Sequence, residues 1–476
     1  MFTIRPSHAP AAEAGSTESS NTEAGNTEPG SADAPRLSPQ RTLLLGLQQL
    51  LVSNVWLDPI FIASVGGLSL GLGANLVSAT FIVAGLVTLA QTTRLIRLPV
   101  VEGPSSAFSP LAIGYAKAGS LPAASLGLLI AAALVFVTAA TGLLGRVRRY
   151  LTPAVTGTII LLVGLSLTAF GFQELFGGAG SPAFGSASAV ITGVLTVALV
   201  GVCVLVRQLR AGAFLIALVV GDAVAAAFGL VDFSALRDAA WVGFPHLLPY
   251  GSLHFDLGIT ITMCIVFFVA VVEAIGIYEA TAAAIGVRLT SRRLSVGVMA
   301  ESVGTALSAG LGGFGATAYA QNLGVISVTG VAKLNVIRCA AVGFLILGFS
   351  PKVAALLTAT PSPVVGGVLV AAAIGVISHG ARSAFSGDGV IPACAVAAAL
   401  GIPAMTESLH WNSVVTQVAS SQVAVGALVA VFLQLVLSIG SRRRAHDAHE
   451  TTDIEAADIE TQEVDAGARA DHPPAR

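Results

Sequence analysis

Long apolar runs recur through most of this chain, and few charged residues interrupt them. Of its 476 residues, 54% are hydrophobic and only 11% are charged, with a mean hydropathy of +0.84. A soluble domain carries about a quarter charged residues, because its surface must face water. The composition therefore excludes a soluble globular protein and predicts a polytopic protein embedded in the lipid bilayer.

Acidic residues are concentrated at the two ends of the chain. More than half of the 26 acidic residues lie within 1–40 and 441–476, segments that contain few large apolar side chains. Such segments cannot bury enough apolar surface to fold. We therefore expect a disordered tail over 1–40, a membrane domain over 41–440 and a disordered acidic tail over 441–476.

The apolar runs can be divided into membrane spans, because a helix needs about 20 apolar residues to cross the hydrocarbon layer. The pattern predicts an all-α protein of fourteen spans, of which the third, tenth and thirteenth are short or broken by Gly and Pro. The predicted spans fall at roughly 42–65, 71–92, 99–117, 121–145, 152–173, 187–207, 210–229, 258–284, 295–312, 318–330, 336–350, 362–379, 389–404 and 421–440.

The distribution of Lys and Arg supports this count, since cytoplasmic loops collect basic residues. With the N-terminus inside, seventeen basic residues fall on the inner face, whereas Lys117, Arg237 and Lys352 fall on the outer face. Omitting one helix from the count would move the later basic residues to the opposite face and remove this asymmetry. We therefore expect an even number of spans in the cell membrane, with both termini in the cytoplasm.

An internal repeat relates the two halves of the chain. The fifth span opens TPAVTG (Thr152–Gly157) and the twelfth opens SPVVGG (Ser362–Gly367), seven spans later. Seven is odd, so a duplicated unit would insert its second copy upside down, as in many secondary transporters. The third and tenth spans carry matching interruptions, GPSSAFSP (Gly103–Pro110) and GGFGATAYAQN (Gly312–Asn322). Broken backbone at membrane depth points to a binding site near the middle of the bilayer.

Several ionisable and polar side chains lie within these apolar runs. Glu273 is the most deeply placed, and a carboxylate there costs ~2.5–3.5 kcal/mol on insertion scales, so it should face a cavity or a partner. Glu301 opens the ninth span, where it could cap the helix or take part in coupling. Glu102 precedes the broken third span and could be structural or line an entry path. Gln49 could simply bond across helices.

Other motifs narrow the class of function. The four cysteines have no CxxC spacing, the histidines show no HExxH pattern, and there is no phosphate-binding loop for ATP. We therefore expect no metal, no cofactor and no primary pump, and nothing indicates nucleic-acid binding. Secondary transporter, channel and intramembrane enzyme remain, and no paired nucleophile or metal constellation supports the enzyme.

The sequence QNLGVISVTG (Gln321–Gly330) resembles the signature of the nucleobase/ascorbate transporter family, Q/E-N-x-G followed by four residues and Thr. Further family features occur in order: GLQQ in the first span, GPSSAF in the third, VVEAIG in the eighth and SPVVGG in the twelfth. The resemblance implies two inverted repeats of seven spans. Spans 1–4 and 8–11 would form a substrate-binding core, and spans 5–7 and 12–14 a gate. Short antiparallel strands would meet in spans 3 and 10.

The resemblance also assigns site residues. Glu273 would hydrogen-bond the ring of the substrate, and Gln321 would read its other edge. The remaining positions that the family places around the substrate are Tyr319, Ala320, Ser105, Ser106 and Gln49.

Four departures from the family pattern bear on specificity. Gln49 stands where His is usual and Ile277 where an acidic residue or His is common, which removes two groups often involved in proton handling. Ser106 replaces Phe, and Gly315 replaces Pro. Glu301 keeps a carboxylate where the family usually has Asp.

These features together predict import of a nucleobase. Gln321 and the pair Thr329–Gly330 favour an oxopurine such as xanthine or urate, with uracil as the alternative. Coupling to protons through Glu273 and Glu301 is expected. A sodium site built on Ser105, Ser106 and Thr317 is the alternative, because sodium prefers several oxygens with a carboxylate among them. A sulfate-permease-type anion transporter is a remote alternative, and family members are commonly homodimers.

Overall fold

The computed structural model describes residues 37–144, 152–178, 180–206, 208–231, 236–237, 239–387, 389–406, 408 and 411–438. Most of the two predicted tails and the basic residues of the loop at 145–151 lie outside these described residues.

The described residues are folded almost entirely into helices that match the predicted spans. Seven of these helices are long and apolar enough to cross a membrane alone, and two bent pairs qualify as further spans, with bends of 81° and 84°. Five shorter, less apolar or broken segments occupy the remaining positions, so the predicted all-α, fourteen-span class is confirmed.

The first seven spans are 1 (Pro39–Ser53 with Leu57–Val65), 2 (Leu70–Gln91), 3 (strand β1, Glu102–Pro104, the turn Ser106–Phe108 and helix Ser109–Lys117), 4 (Leu121–Ala140), 5 (Pro153–Leu175), 6 (Ala187–Leu205) and 7 (Ala213–Ala227). The second seven are 8 (Leu257–Ala284), 9 (Ser291–Gly310), 10 (strand β2, Ala316–Ala318, and helix Ala320–Thr329), 11 (Leu334–Gly348), 12 (Ser362–Ala384), 13 (Val390–Met405) and 14 (Gln422–Ser438). Short helices Pro351–Thr358 and Ser413–Ala419 adjoin spans 11 and 14.

Polar side chains mark where several spans begin. Ser69 accepts a hydrogen bond from Leu72 N at 3.3 Å before span 2, and Asp256 accepts one from Ile259 N at 2.8 Å before span 8. Each satisfies an N–H group that the first turn of a helix leaves without a partner. Proline occupies the first turn of spans 1, 4, 5 and 12, where its missing N–H costs nothing. These local signals explain why the span boundaries could be predicted within a few residues.

Span 1 consists of two helices rather than one. The first helix ends at Ser53, and the second begins at Leu57. Between them Asn54 adopts a left-handed backbone with φ of 53°, a conformation that Asn tolerates better than most residues. The interruption, which the hydropathy of this segment does not reveal, lets the second helix turn Asp58 toward spans 3 and 8.

Spans 3 and 10 are broken, as the sequence predicts, and their strands pair with each other. Strands β1 and β2 are antiparallel, with Glu102 opposite Ala318 and Pro104 opposite Ala316. The pairing extends beyond both strands, because Ser105 N donates to Gly315 O at 2.8 Å and Tyr319 N donates to Val101 O at 2.9 Å. Each unwound segment thus satisfies backbone groups of the other, which a segment at membrane depth requires.

Spans 5 and 12 pack antiparallel along a seam of small residues spaced seven apart. Span 5 contributes Gly157, Gly164 and Gly171, and span 12 contributes Gly366 and Gly380. A Cβ atom built on Gly380 would meet the backbone of Leu161, and one built on Gly366 would meet the backbone of Leu175. Small residues let membrane helices approach closely enough for extensive van der Waals contact. The seam therefore holds the two spans together along their length.

The seam makes a stability prediction with a matched control on the same helix. Gly380→Ala should lower the free energy of unfolding by about 1–3 kcal/mol, because backbone atoms of span 5 cannot move aside as a flexible side chain would. Gly375→Ala should leave it unchanged or raise it by up to about 1 kcal/mol, because Gly375 faces open space and Ala favours helix. Thermal unfolding of the detergent-purified proteins measures both, and equal midpoints would contradict the seam.

Candidate functional site

Two aromatic rings pack reciprocally across the strand pair. A Cβ atom on Gly103 of β1 would collide with the ring of Tyr319, and a Cβ atom on Gly315, just before β2, would collide with the ring of Phe108. Each broken span thus supplies a glycine that makes room for an aromatic side chain of the other. The ring of Phe108, which is fully buried, leaves no space for a Cβ atom at 315.

Hydroxyl groups from neighbouring spans hold the strands in place. Thr88 of span 2 accepts a hydrogen bond from Glu102 N at 2.9 Å, and Thr305 of span 9 accepts one from Ala316 N at 3.0 Å. Thr317 in β2 donates to Ala270 O of span 8 at 3.1 Å. The strand pair is therefore fixed on both sides, close to the turn of span 8 that carries Glu273.

Glu273 lies beside this strand pair. Glu273 is partly buried as a residue, and its carboxyl group interacts with the hydroxyl of Ser105, the residue that follows β1 and is itself buried. Tyr319 is also buried, and its hydroxyl donates to Pro104 O at 2.9 Å. The structure thus brings together Glu273, Ser105 and Tyr319 at the crossing of spans 3, 8 and 10. A carboxylate on a rigid scaffold can accept hydrogen bonds from a bound molecule.

Asp58 is a further carboxylate at this place, and the sequence reasoning overlooked it. The residue lies on the second helix of span 1 and is only 5% exposed. Ser109 donates to its Oδ1 at 2.7 Å and Ser106 donates to its Oδ2 at 3.0 Å. Both serines lie where β1 gives way to the helix of span 3. Asp58 therefore joins span 1 to the broken part of span 3, and Ser106 is bound to it rather than free.

The remaining predicted site residues fall in different surroundings. Gln321 is exposed in the first turn of the span 10 helix. The side chain of its neighbour Ala320 lies outside the described residues. Gln49 is fully buried, and its side-chain and backbone oxygens accept hydrogen bonds from Asn322 at 2.7 and 2.8 Å. Gln49 thus ties span 1 to span 10 in this structure.

Glu301 lies in a buried cluster formed by spans 2, 3, 8 and 9. It is fully buried and sits near Tyr278 of span 8, Glu102 of β1 and Gln91 at the end of span 2. Sequence reasoning named Glu102 and Glu301 separately and missed Gln91 and Tyr278. Gln91 could have been noticed in the sequence, because it is a polar residue at the end of an apolar run.

No group of three His, Cys, Asp or Glu side chains that could hold a metal ion is found in the part of the chain that the structure describes. The four cysteines are unpaired and lie in different spans, as their separate apolar segments suggested. The chemistry of the site therefore rests on carboxyl, hydroxyl and amide groups.

Comparison with known proteins identifies close sequence relatives. The sequence model described as "Permease family" matches residues 40–407. Uric acid permease PucK from Bacillus subtilis is 32% identical over 437 residues, which cover 88% of this chain and 98% of that protein. A xanthine permease from the same organism is 30% identical over 424 residues, covering 85% of this chain and 95% of the relative.

Solved structures are similar in fold but distant in sequence. The murine Slc26a9 anion transporter, in its inward-facing state, matches with a TM-score of 0.56 at 16% identity, covering 84% of this chain and 69% of that one. This likeness shows a shared fold.

The contacts of Asp58 lead to a testable coupling. Asp58→Ala would leave the hydroxyls of Ser106 and Ser109 without their acceptor, and losing a partner of a buried polar group costs about 1–3 kcal/mol. A double-mutant cycle of Asp58→Ala with Ser109→Ala should therefore give a coupling energy of about 0.5–3 kcal/mol in thermal unfolding.

A control cycle separates this pair from general effects on span 1. Ser64 lies on the same helix but donates to Glu174 of span 5, so Asp58→Ala and Ser64→Ala should be additive within about 0.5 kcal/mol. Additivity in both cycles would contradict the interaction between Asp58 and Ser109.

Proposed function

Since the chain belongs to the nucleobase/ascorbate transporter family, we propose that it is a secondary active transporter that imports a nucleobase. Members of the family are permeases, so the prediction of a multi-pass membrane transporter, and not an enzyme, is confirmed. The observation that supports the proposed substrate class is the carboxyl group of Glu273, which lies beside the strand pair and next to Ser105.

The chemistry of a planar base suits this site. A nucleobase presents N–H donors and C=O acceptors along its edges, which a carboxylate and a carboxamide can complement. Glu273 would accept ring N–H bonds, and Gln321 would read the opposite edge. Ser105, Ser106, Tyr319 and Ala320 would surround the base, whereas the contacts of Gln49 with Asn322 favour a supporting role for that residue.

An oxopurine is the substrate that the relatives favour. The similar proteins PucK and the xanthine permease of Bacillus subtilis are named for uric acid and xanthine, which supports an oxopurine over uracil. The anion transporter Slc26a9 shares only 16% sequence identity, so its likeness speaks for the fold and not for the transported molecule.

We further propose proton symport by an elevator-like movement. Spans 1–4 and 8–11 would form the moving core around the strand pair, and spans 5–7 and 12–14 the gate. The close contact of spans 5 and 12 supports a gate that stays rigid. Glu273 and Glu301 would handle the proton, both termini would lie in the cytoplasm, and two chains would form a homodimer.

Competition for uptake tests the substrate class. In cells that lack their own nucleobase transporters, expression of the protein should give uptake of labelled xanthine that unlabelled xanthine or urate abolishes and uracil leaves unaffected. Uptake that uracil competes and the oxopurines do not would overturn the assignment to oxopurines while leaving a nucleobase permease. A protein that takes up none of these bases would overturn the proposed function.

Glu273→Gln tests the assigned substrate ligand. An amide cannot accept two ring N–H bonds as a carboxylate does, and losing one charge-assisted bond costs roughly 1.5–3 kcal/mol, about ten- to a hundredfold in affinity. We expect substrate to stabilise the purified wild-type protein against heat and to fail to stabilise this variant. Asp222→Asn serves as the control, since Asp222 lies on span 7 and accepts a hydrogen bond from Thr360. Full stabilisation of Glu273→Gln by substrate would refute its role.

The coupling ion can be determined in proteoliposomes. An imposed inward proton gradient without sodium should drive accumulation of labelled xanthine, whereas a sodium gradient at constant pH should not. The reverse result would establish sodium coupling, for which Ser105, Ser106 and Thr317 would be the first oxygens to examine.

A further inference from the structure

Four side chains from four segments form a closed polar cluster in the interior. They are Gln91 at the end of span 2, Glu102 at the start of β1, Tyr278 on span 8 and Glu301 on span 9, and each is fully buried. Two carboxyl groups in so dry a place are costly, because burying a charge needs partners that replace water. The cluster therefore has to be explained by its hydrogen bonds.

The hydrogen-bond donors in the cluster are too few for two charged carboxylates. Gln91 Nε2 lies 2.7 Å from Glu102 Oε1 and 2.6 Å from the Tyr278 hydroxyl oxygen. That hydroxyl lies 2.8 Å from Glu102 Oε1 and 3.5 Å from Glu301 Oε2. Tyr278 has one proton to donate, so it can serve only one of the two carboxyls at a time.

The remaining oxygens of the two carboxyl groups are unpartnered. Among the described residues, Glu102 Oε2 and Glu301 Oε1 are buried without any hydrogen-bond partner. The titratable neighbours of Glu301 are the carboxyl groups of Glu102 and Glu273 and the phenol of Tyr278. The guanidinium of Arg338 donates to Thr92, the residue after Gln91, at 2.8 Å to Thr92 O and 3.1 Å to Thr92 Oγ1. A proton bound to one of these carboxyl groups would remove one negative charge and supply the missing hydrogen-bond donor.

We propose that Glu102 and Glu301 bind one proton as a pair, with Tyr278 bridging them, and that this pair is the proton site of the transport cycle. The inference deepens the proposed function and rests on it. It replaces Glu273 by Glu102 in the proton-handling pair named above and leaves Glu273 to bind substrate, and it gives Glu102 a role that neither the family resemblance nor the comparisons assign. Release of the proton leaves two facing carboxylates, which must then separate or become hydrated.

The backbone connects this pair to the substrate site. Glu102 begins β1, and two residues later Pro104 O accepts the hydrogen bond of the Tyr319 hydroxyl. Tyr278 follows Glu273 on span 8 by five residues. The titratable groups that face the pair are Tyr278 and Glu273 on span 8 and Tyr319 after β2. A shift of the strand pair as substrate binds or leaves therefore changes the distance between Glu102 and Glu301 without any contact between proton and substrate.

Transport assays with the variants Glu102→Gln and Glu301→Gln test this proposal. Each amide resembles the protonated carboxyl, so exchange of labelled for unlabelled xanthine across proteoliposomes should persist. In the wild type, a gradient of about one pH unit should concentrate xanthine about tenfold inside the proteoliposomes if one proton moves with each substrate. The two variants should show no accumulation. Glu273→Gln, in contrast, should lose both exchange and accumulation. Asp222→Asn should keep both.

Infrared difference spectroscopy gives a second readout that does not depend on transport. The spectrum of the wild type minus that of each glutamine variant should contain the C=O stretching band of one protonated carboxyl at neutral pH, and this band should vanish on raising the pH. Glu102→Gln and Glu301→Gln should each abolish that titration, because the proton belongs to the pair, and Tyr278→Phe should shift it. Asp222→Asn should leave it in place.

The outcomes separate this proposal from the proposed function. If the wild type transports no nucleobase, the function itself is wrong. If the wild type accumulates xanthine with protons and both glutamine variants still do so, or if the titrating band survives in both, the pair is not the proton site although the function stands. If only Glu301→Gln abolishes coupling, Glu102 has no share in the proton and the pair is refuted. Coupling to sodium alone would overturn the pair as well.

Discussion

The backbone at the middle of the membrane needs hydrogen-bond partners that lipid cannot provide, and the rest of the structure depends on how this need is met. Spans 3 and 10 are unwound at the same depth. Among the described residues, each contains one strand of three residues, and these two strands pair with each other. Neither segment could remain unwound alone. Ser105 and Tyr319 of the candidate site, and Glu102 of the buried cluster, take their positions from this one pairing, so the candidate site and the stability of the fold have a common origin.

Sequence patterns were sufficient for features that depend on local chemistry. Hydropathy located the spans, and the clustered small and hydroxyl residues located both breaks. Asp58 escaped because its neighbours Leu57, Pro59 and Ile60 keep the run apolar on average. The role of a polar residue depends on which helix faces it, and this is a tertiary property. Gln49, for which family resemblance implied contact with substrate, pairs with Asn322 instead of standing free.

The polar groups of the interior are divided by their access to water. Glu273 is partly exposed as a residue, whereas Glu102 and Glu301 are fully buried. On span 8, Ile277 is apolar, and the next residue, Tyr278, brings a phenol into the sealed cluster between spans 3 and 9.

The seam between spans 5 and 12 also limits how the two helices can move relative to each other. The glycines of span 5 contact the backbone of span 12 at positions that are seven residues, or about two helical turns, apart. Sliding by one turn would bring larger side chains to positions where even a methyl group does not fit. The seam therefore allows a single axial position of one helix relative to the other, so the two helices move as one rigid unit. Bending or sliding during transport has to occur elsewhere in the protein.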